Sequence, residues 1–150
     1  MKTVREVLSD RAPVVTHQDE TVHAAVRKMV EARIGALPVL DDGRLTGMFT
    51  ERDLMTRVVA PGRDPASTLV KDVMTRENLV MVSPEDAYET AQRRMKRAGC
   101  RHILVVKDDR LVGVASLRDV VELGLAERTD ELHMLEAYVY YFPPGLSGGA

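Results

Sequence analysis

Residues 47–53 read GMFTERD and residues 113–119 read GVASLRD, so that a glycine, a hydroxyl (Thr50 or Ser116) and a carboxylate (Asp53 or Asp119) recur at three-residue intervals. A hydroxyl placed where a strand gives way to a helix caps that helix, and the first N–H groups of the helix can then face a ligand phosphate. A carboxylate three residues on would repel phosphate, but its two acceptor oxygens match the neighbouring hydroxyl donors of a ribose. Arg52 and Arg118, each adjacent to its Asp, could supply compensating positive charge. The same spacing also describes an ordinary capping box, which needs no ligand.

The two stretches lie 66 positions apart, and that offset holds along the chain without a gap: VREVLS from Val4 falls on VKDVMT from Val70, and RLTG from Arg44 falls on RLVG from Arg110. Arg27 and Met29 likewise fall on Arg93 and Met95, and Asp42 on Asp108. The chain is read as a tandem duplication. A period this long, present only twice, suggests two like halves about a pseudo-twofold axis rather than a solenoid.

The elements that must hold the paired motifs follow from periodicity. Val22, Ala25, Val26, Met29 and Val30 recur at helical spacing after Asp19 and Glu20, predicting a helix over 20–33. In the second unit Ser83 as N-cap, Pro84 at the first position and Gly99 after the last turn predict a helix over 84–98. Each helix precedes two β-rich runs joined by a tight polar turn (DDGR and KDDR), hence a hairpin. ERDLMTRVV and LRDVVELGL then read as closing helices, and residues 13–15 and 79–82 as leading strands. The hairpins require antiparallel pairs, against an all-parallel Rossmann sheet. The expected fold is α/β in the α+β sense: two β-α-β-β-α units, 3–60 and 69–125, packed through their sheets, with a linker over 61–68 and a C-terminal helix.

Composition excludes several classes. At 150 residues each half alone would bury too little surface, so the two must share a core. Net charge is −2 with basic and acidic residues interspersed, leaving no basic stripe for nucleic acid. No apolar run approaches membrane-spanning length, and the start MKTVREVLSD lacks the layout of a signal peptide, so the expected location is cytoplasmic. Cys100 aligns with Ile34 and reads as a small apolar group, while His17, His23, His102 and His133 lack paired ligand spacing, so no metal is expected. No catalytic constellation is evident, and no enzyme or catalytic cofactor is expected.

The element order, the hairpin, the closing Gly-x-x-Thr/Ser-x-x-Asp and the duplication together resemble a cystathionine-β-synthase-type (CBS) domain pair, the Bateman module, over roughly residues 3–125. TERDLMTRV further looks like the small stand-alone CBS proteins of bacteria. The resemblance implies a non-catalytic regulatory module that binds adenosine-containing ligands (AMP, ADP, ATP or NAD(H)) in two clefts between the units, signals occupancy by conformational change, and forms a homodimer. Carried over by position, it implies one cleft shared by Thr50, Arg52 and Asp53 with Thr75, Val80, Cys100 and Arg101. The other would be shared by Ser116, Arg118 and Asp119 with Ser9, Val14, Ile34 and Gly35. Arg101 and His102 replace Gly35 and Ala36, so the first cleft is expected to be more cationic and tighter. Loss of either Asp is expected to weaken binding and leave the fold intact.

Outside the repeat, TDELHMLEAYVYYFPP carries Tyr138, Tyr140, Tyr141 and Phe142, four of the six aromatic residues of the chain. A separate helix over 126–142 is expected, packing within or between subunits, followed by a disordered tail at 143–150. The partner of such a module would be an unidentified enzyme or transporter. The competing reading is a ligand-independent dimeric scaffold that binds a partner protein and whose Thr and Ser caps are only caps.

Overall fold

The computed structural model describes residues 1–141 except Ser9 and Arg11, with side chains as far as Ala137. The expected tail at 143–150 and Phe142 lie outside the described residues. The strands are β1 (Thr16–His17), β2 (Ala36–Asp41), β3 (Arg44–Thr50), β4 (Met81–Val82), β5 (His102–Lys107) and β6 (Arg110–Ser116). They form two three-stranded sheets, β1-β2-β3 and β4-β5-β6, the first pair in each parallel and the second antiparallel. The leading strands begin later than the apolar runs suggest, at 16 and 81 rather than 13 and 79.

Both faces of each hairpin are covered, which explains its nearly continuous apolar runs. Leu37 and Val39 face the first helical layer with Val22, Ala25, Met29 and Phe49, and Ile103 and Val105 face the second with Tyr88, Ala91 and Met95. On the opposite faces Ala36, Met48 and Leu104 form a third cluster, joined by Val106, Leu111 and Val114, through which the two sheets pack on each other. The duplication persists in detail. Each hairpin shifts register at the same place, Val39/Leu40 and Val105/Val106. Each turns through two residues of positive φ, Asp42 and Gly43 or Asp108 and Asp109, the conformation a two-residue hairpin favours.

Helix α1 (Val22–Ala32) starts at Thr21, whose hydroxyl accepts from the Ala24 amide at 3.2 Å, and stops at Arg33 with φ of 55°. Helix α3 (Tyr88–Ala98) stops at Gly99, as its sequence predicts, but starts four residues later than the Ser83 cap implies. Instead Ser83 to Asp86 fold into a turn, closed by Asp86 N–H to Ser83 C=O at 3.1 Å and Ser83 N–H to Asp86 Oδ2 at 2.9 Å. The physical reason is tertiary: the carbonyls of Pro84 and Asp86 accept from the amides of Arg5 and Val4, each at 2.9 Å, so they are not available to a helix.

Those contacts reveal an exchange between the repeats. The 3-10 turn Val4–Val7 opens the first repeat in sequence, yet Val4 is buried in the core of the second unit. Its counterpart Val70–Asp72 opens the second repeat and packs on the first, with Val70 N–H to Glu20 C=O at 2.9 Å and Lys71 N–H to Gln18 C=O at 3.0 Å. Val70, Val73 and Met74 belong to the core of the first unit. Matching ion pairs fasten the outer ends: Arg5 to Glu85 at 2.6 Å and Lys71 to Asp19 at 2.8 Å.

The closing helix of the first unit, α2, begins as an α-turn (Glu51–Asp53) and widens over Leu54–Val59, where Ala60 N–H reaches back five residues to Met55 C=O. The closing helix of the second unit is α4 (Leu117–Tyr141), one unbroken helix rather than the expected two. Nothing between 125 and 130 stops it: Gly124 gives room to the Tyr88 ring, which would lie 2.8 Å from an added Cβ, and Glu127 beyond it accepts the Lys2 amide at 3.2 Å. Among the described residues no helix is long and apolar enough to cross a membrane.

Glu85 ties the exchanged turn to the hairpin. Hydrogen bonds from Lys107, Ser83 and Arg5 hold its carboxyl at about 2, far below the ordinary 4.5. A carboxylate depressed in the folded state stabilises above its unfolded pKa and ceases to do so as pH falls toward the folded one. Unfolding followed from pH 5 down to pH ~2 should therefore show an acid-limb loss of stability that is shallower in Glu85→Gln. Parallel acid limbs in the two proteins would refute this linkage.

Candidate functional site

Thr50 is the last residue of β3 and the N-cap of α2. Its hydroxyl accepts from the Asp53 amide at 3.2 Å while Asp53 Oδ2 accepts from the Thr50 amide at 3.0 Å, a complete capping box. Asp53 is only 5% exposed. Its oxygens also accept from the Thr75 hydroxyl at 3.0 and 3.2 Å, and Arg57 Nε stands 3.7 Å away. Thr75 arrives on the exchanged segment, which bridges to β3 through Met48 N–H to Thr75 C=O at 2.9 Å and Thr75 N–H to Met48 C=O at 2.8 Å. Glycine at 47 permits that approach, since a Cβ there would sit 2.7 Å from the Thr75 carbonyl oxygen.

Ser116 and Asp119 repeat the box at the start of α4: Ser116 N–H to Asp119 Oδ2 is 3.1 Å, the Ser116 hydroxyl donates to the same oxygen at 2.6 Å, and Asp119 N–H returns to Ser116 Oγ at 3.1 Å. Asp119 is half-buried where Asp53 is buried. The position equivalent to Thr75 is Ser9, which lies outside the described residues.

A cleft of about 470 Å³ opens above the first box. It brings together Thr50, Arg52 and Asp53 from the first unit with Thr75, Val80, Cys100, Arg101 and His102 from the second. That volume is within the range of small-molecule sites, roughly 300–1,000 Å³. Gly35, assigned by position to the other cleft, also lines this one. Ala36 is buried between the sheets and presents almost no surface to any ligand. Val14 is 40% exposed, while Ile34 packs against the core of the first unit. Arg118 extends along α4 to Glu122, with Nε to Oε1 at 3.0 Å, and the side chain is 85% exposed.

Charges of both signs line the cleft. Arg101 and His102 are present, but Glu51 and Glu77 line the same wall, so three acids with Asp53 face the two arginines 52 and 101. Burial lowers the pKa of His102 against the opposing pull of Glu51 and Asp119, which favours neutral imidazole. The cleft is therefore not cationic. The amide seat is also smaller than the motif implies, because Glu51 N–H donates to Gly35 C=O at 3.0 Å and Leu117 N–H to Arg101 C=O at 2.8 Å. Burial pushes the Cys100 thiol up, which slows this half-exposed thiol toward electrophiles without closing it to them.

Sequence reasoning missed Glu51, Met55, Glu77, Asn78 and Leu79 in this wall. Glu51 was visible as the residue after Thr50 with Leu117 as its repeat equivalent. The run 77–79 had no local signal, because its place depends on the exchange. The spacing of the histidines likewise conceals His17, Asp41 and Asp42, whose ligand-capable atoms lie within 4.8 Å of one another. His17 Nδ1 there accepts the Asp19 amide at 3.2 Å and Nε2 stands 3.5 Å from Asp41, a polar bracket for the hairpin end.

Two lobes of this topology, exchanged leading segments, a capping box at the start of each closing helix and a cleft between the units define a duplicated two-unit architecture. The model of the CBS domain matches residues 4–60 and 70–126, and the chain belongs to the CBS-domain family as a tandem pair. It is similar to the CBS domain-containing protein CBSX3, mitochondrial, of Arabidopsis thaliana, 40% identical over 125 residues. That match covers 81% of this chain and 61% of CBSX3, so the chain spans less than two thirds of that relative. It is 33% identical over 120 residues to YhcV of Bacillus subtilis, covering 80% of this chain and 84% of YhcV. In fold it matches the CBS domain pair of protein MJ0100, solved in complex with 5′-methylthioadenosine and S-adenosyl-L-methionine, with a TM-score of 0.73 and 23% identity over 81% of this chain and 98% of that one.

The burial of Asp53 changes what its loss should do. Asp53→Ala strips the acceptor from the Thr50 amide and the Thr75 hydroxyl, so it should destabilise the fold by about 1–3 kcal/mol, and Asp119→Ala by less. Urea unfolding of the two variants measures this, and equal midpoints for Asp53→Ala and wild type would show that Asp53 has no structural role.

Proposed function

We propose that the protein is a non-catalytic regulatory module that binds an adenosine-containing ligand between its two CBS units and transmits occupancy as a change in their relative angle. The observation that carries the reading is the first cleft, where a hydroxyl and carboxylate from one repeat meet Val80, Cys100 and Arg101 from the other. Apolar walls at Val80, Leu79 and Met48 suit a base. The Asp53 carboxylate suits the ribose, on condition that a ligand hydroxyl replaces the Thr75 hydroxyl as donor. The MJ0100 complex supports the adenosyl class. AMP, ADP, ATP and NAD(H) are the members to test first.

A thermal-shift panel of adenosyl compounds tests the reading. Binding only to the folded state at 100 times Kd adds roughly 2.7 kcal/mol, which raises the melting midpoint. A flat panel would instead favour the ligand-independent scaffold, with the capping boxes serving only the helices.

The module acts as a homodimer in this proposal. Met55 and Val59 on α2 are 63% and 66% exposed, and their repeat equivalents Val121 and Leu125 on α4 are 41% and 60% exposed. Matched apolar faces on both closing helices suit an isologous contact about a twofold axis. Light scattering at micromolar concentration should give twice 16.7 kDa, and Met55→Glu with Leu125→Glu should shift it toward a single chain. A wild-type mass of one chain would exclude the dimer.

A further inference from the structure

The acids in the wall of the first cleft bear on which adenosine derivative it accepts. We propose that Glu51 and Glu77 make this cleft select derivatives whose 5′ substituent is uncharged or positively charged, and disfavour nucleoside polyphosphates. The inference rests on the adenosyl reading above and concerns only the chemistry of the 5′ group.

Charge counting is the first support. Arg57 stands behind Asp53 at 3.7 Å, which leaves Glu51 and Glu77 facing Arg52 and Arg101 with no surplus of positive charge for a polyphosphate. Neutral His102 adds none. A cleft with apolar walls focuses the field of the charges that line it, so two acids there weigh more than on open surface.

The position of Glu51 is the second support. It follows Thr50 directly, its own amide is committed to Gly35 C=O at 3.0 Å, and its carboxylate lies where a Cβ on residue 35 would be only 3.0 Å away. The cleft lining over Gly35 therefore carries a negative group, one residue beyond Thr50 in the chain. Specificity arises as readily from a repulsive group set against one ligand as from an attractive group for another.

The duplication supplies an internal control. The repeat equivalents of Glu51 and Glu77 are Leu117 and Arg11, neither of them an acid. An acid in the first turn does favour a helix dipole, but α4 begins at Leu117 and runs longer than α2, so a helix start in this fold does not require an acid at that position.

The sole cysteine of the chain, Cys100, lines this cleft, so protection of its thiol from a small maleimide reports occupancy of the first cleft alone. Adenosine, 5′-methylthioadenosine, AMP and ATP are titrated in turn against wild type and a Glu51→Gln/Glu77→Gln double variant. In wild type the two uncharged compounds should protect at concentrations about tenfold or more below ATP, and the double variant should shrink that ratio at least about threefold. ATP protecting as well as adenosine, or an unchanged ratio in the double variant, would overturn the charge selection and leave the adenosyl reading standing. Failure of all four compounds to protect Cys100 would overturn both.

Discussion

The pairing of Thr75 with Met48 across Gly47 is the contact on which the fold and the cleft both depend. It brings a segment from the second repeat to the edge of the first sheet, with two backbone hydrogen bonds of 2.9 and 2.8 Å, and it sets the Thr75 hydroxyl on Asp53. The same segment continues without interruption through three environments. Val70, Val73 and Met74 fill the core of the first unit, Thr75 meets the capping box, and residues 77–80 form the rim and wall of the cleft. Core packing and cleft shape are thus two stretches of one strand of chain. In the proposed function, a ligand that displaces the Thr75 hydroxyl from Asp53 would act on a segment whose adjacent residues, Met74 and Val73, are anchored in the core of the unit.

The duplication is kept where the fold needs it and broken where a ligand would read it. Exchanged turns, hairpin shifts and the Arg5–Glu85 and Lys71–Asp19 pairs all recur at the same offset. These ion pairs are exposed and screened by solvent, so their value lies in register rather than in stability. Along the first cleft the repeats diverge: Glu51 stands where the second repeat has Leu117, and Arg101 and His102 stand where the first has Gly35 and Ala36. Substitution at lining positions costs the core little because those side chains face solvent or the opposite unit.

Much of this architecture was legible because it depends on local chemistry. Two-residue turns with Asp42-Gly43 and Asp108-Asp109 mark hairpins, and the nearly continuous apolar runs ALPVL and HILVV mark the strands. The capping boxes at Thr50 and Ser116 formed at the positions their spacing implies. What failed was decided by distant partners. Ser83-Pro84-Glu85 has every local mark of a helix start, yet the amides of Val4 and Arg5 claim the carbonyls of that stretch and postpone α3 to Tyr88. Glu77 escaped notice for the same reason, since it reaches the wall only through the exchange. At the C-terminal end the sequence suggested two helices, because the aromatic segment lies outside the duplicated units, and Gly124 ahead of it is a position of low helix propensity. Tyr88 packing over Gly124 turns that weak point into a contact of one continuous helix.

Helices α2 and α4 connect the two kinds of surface that the proposed function requires. Each begins at a capping box, Thr50 or Ser116, and each exposes its apolar pair within the next ten residues, Met55 with Val59 or Val121 with Leu125. A helix transmits rotation of its first turn along its axis as a nearly rigid rod. In α2 the hydrogen bonds widen over Leu54–Val59, the very stretch that carries Met55 and Val59. Widened helical turns of this kind often mark functional sites, because their backbone has a nearby alternative in the ordinary α spacing. The two closing helices are therefore unequal levers: α4 is regular and long, whereas α2 has a local conformational reserve between the cleft and the face offered to a second chain. In the proposed function a signal that begins at Thr50 would have less rigid structure to move than one that begins at Ser116.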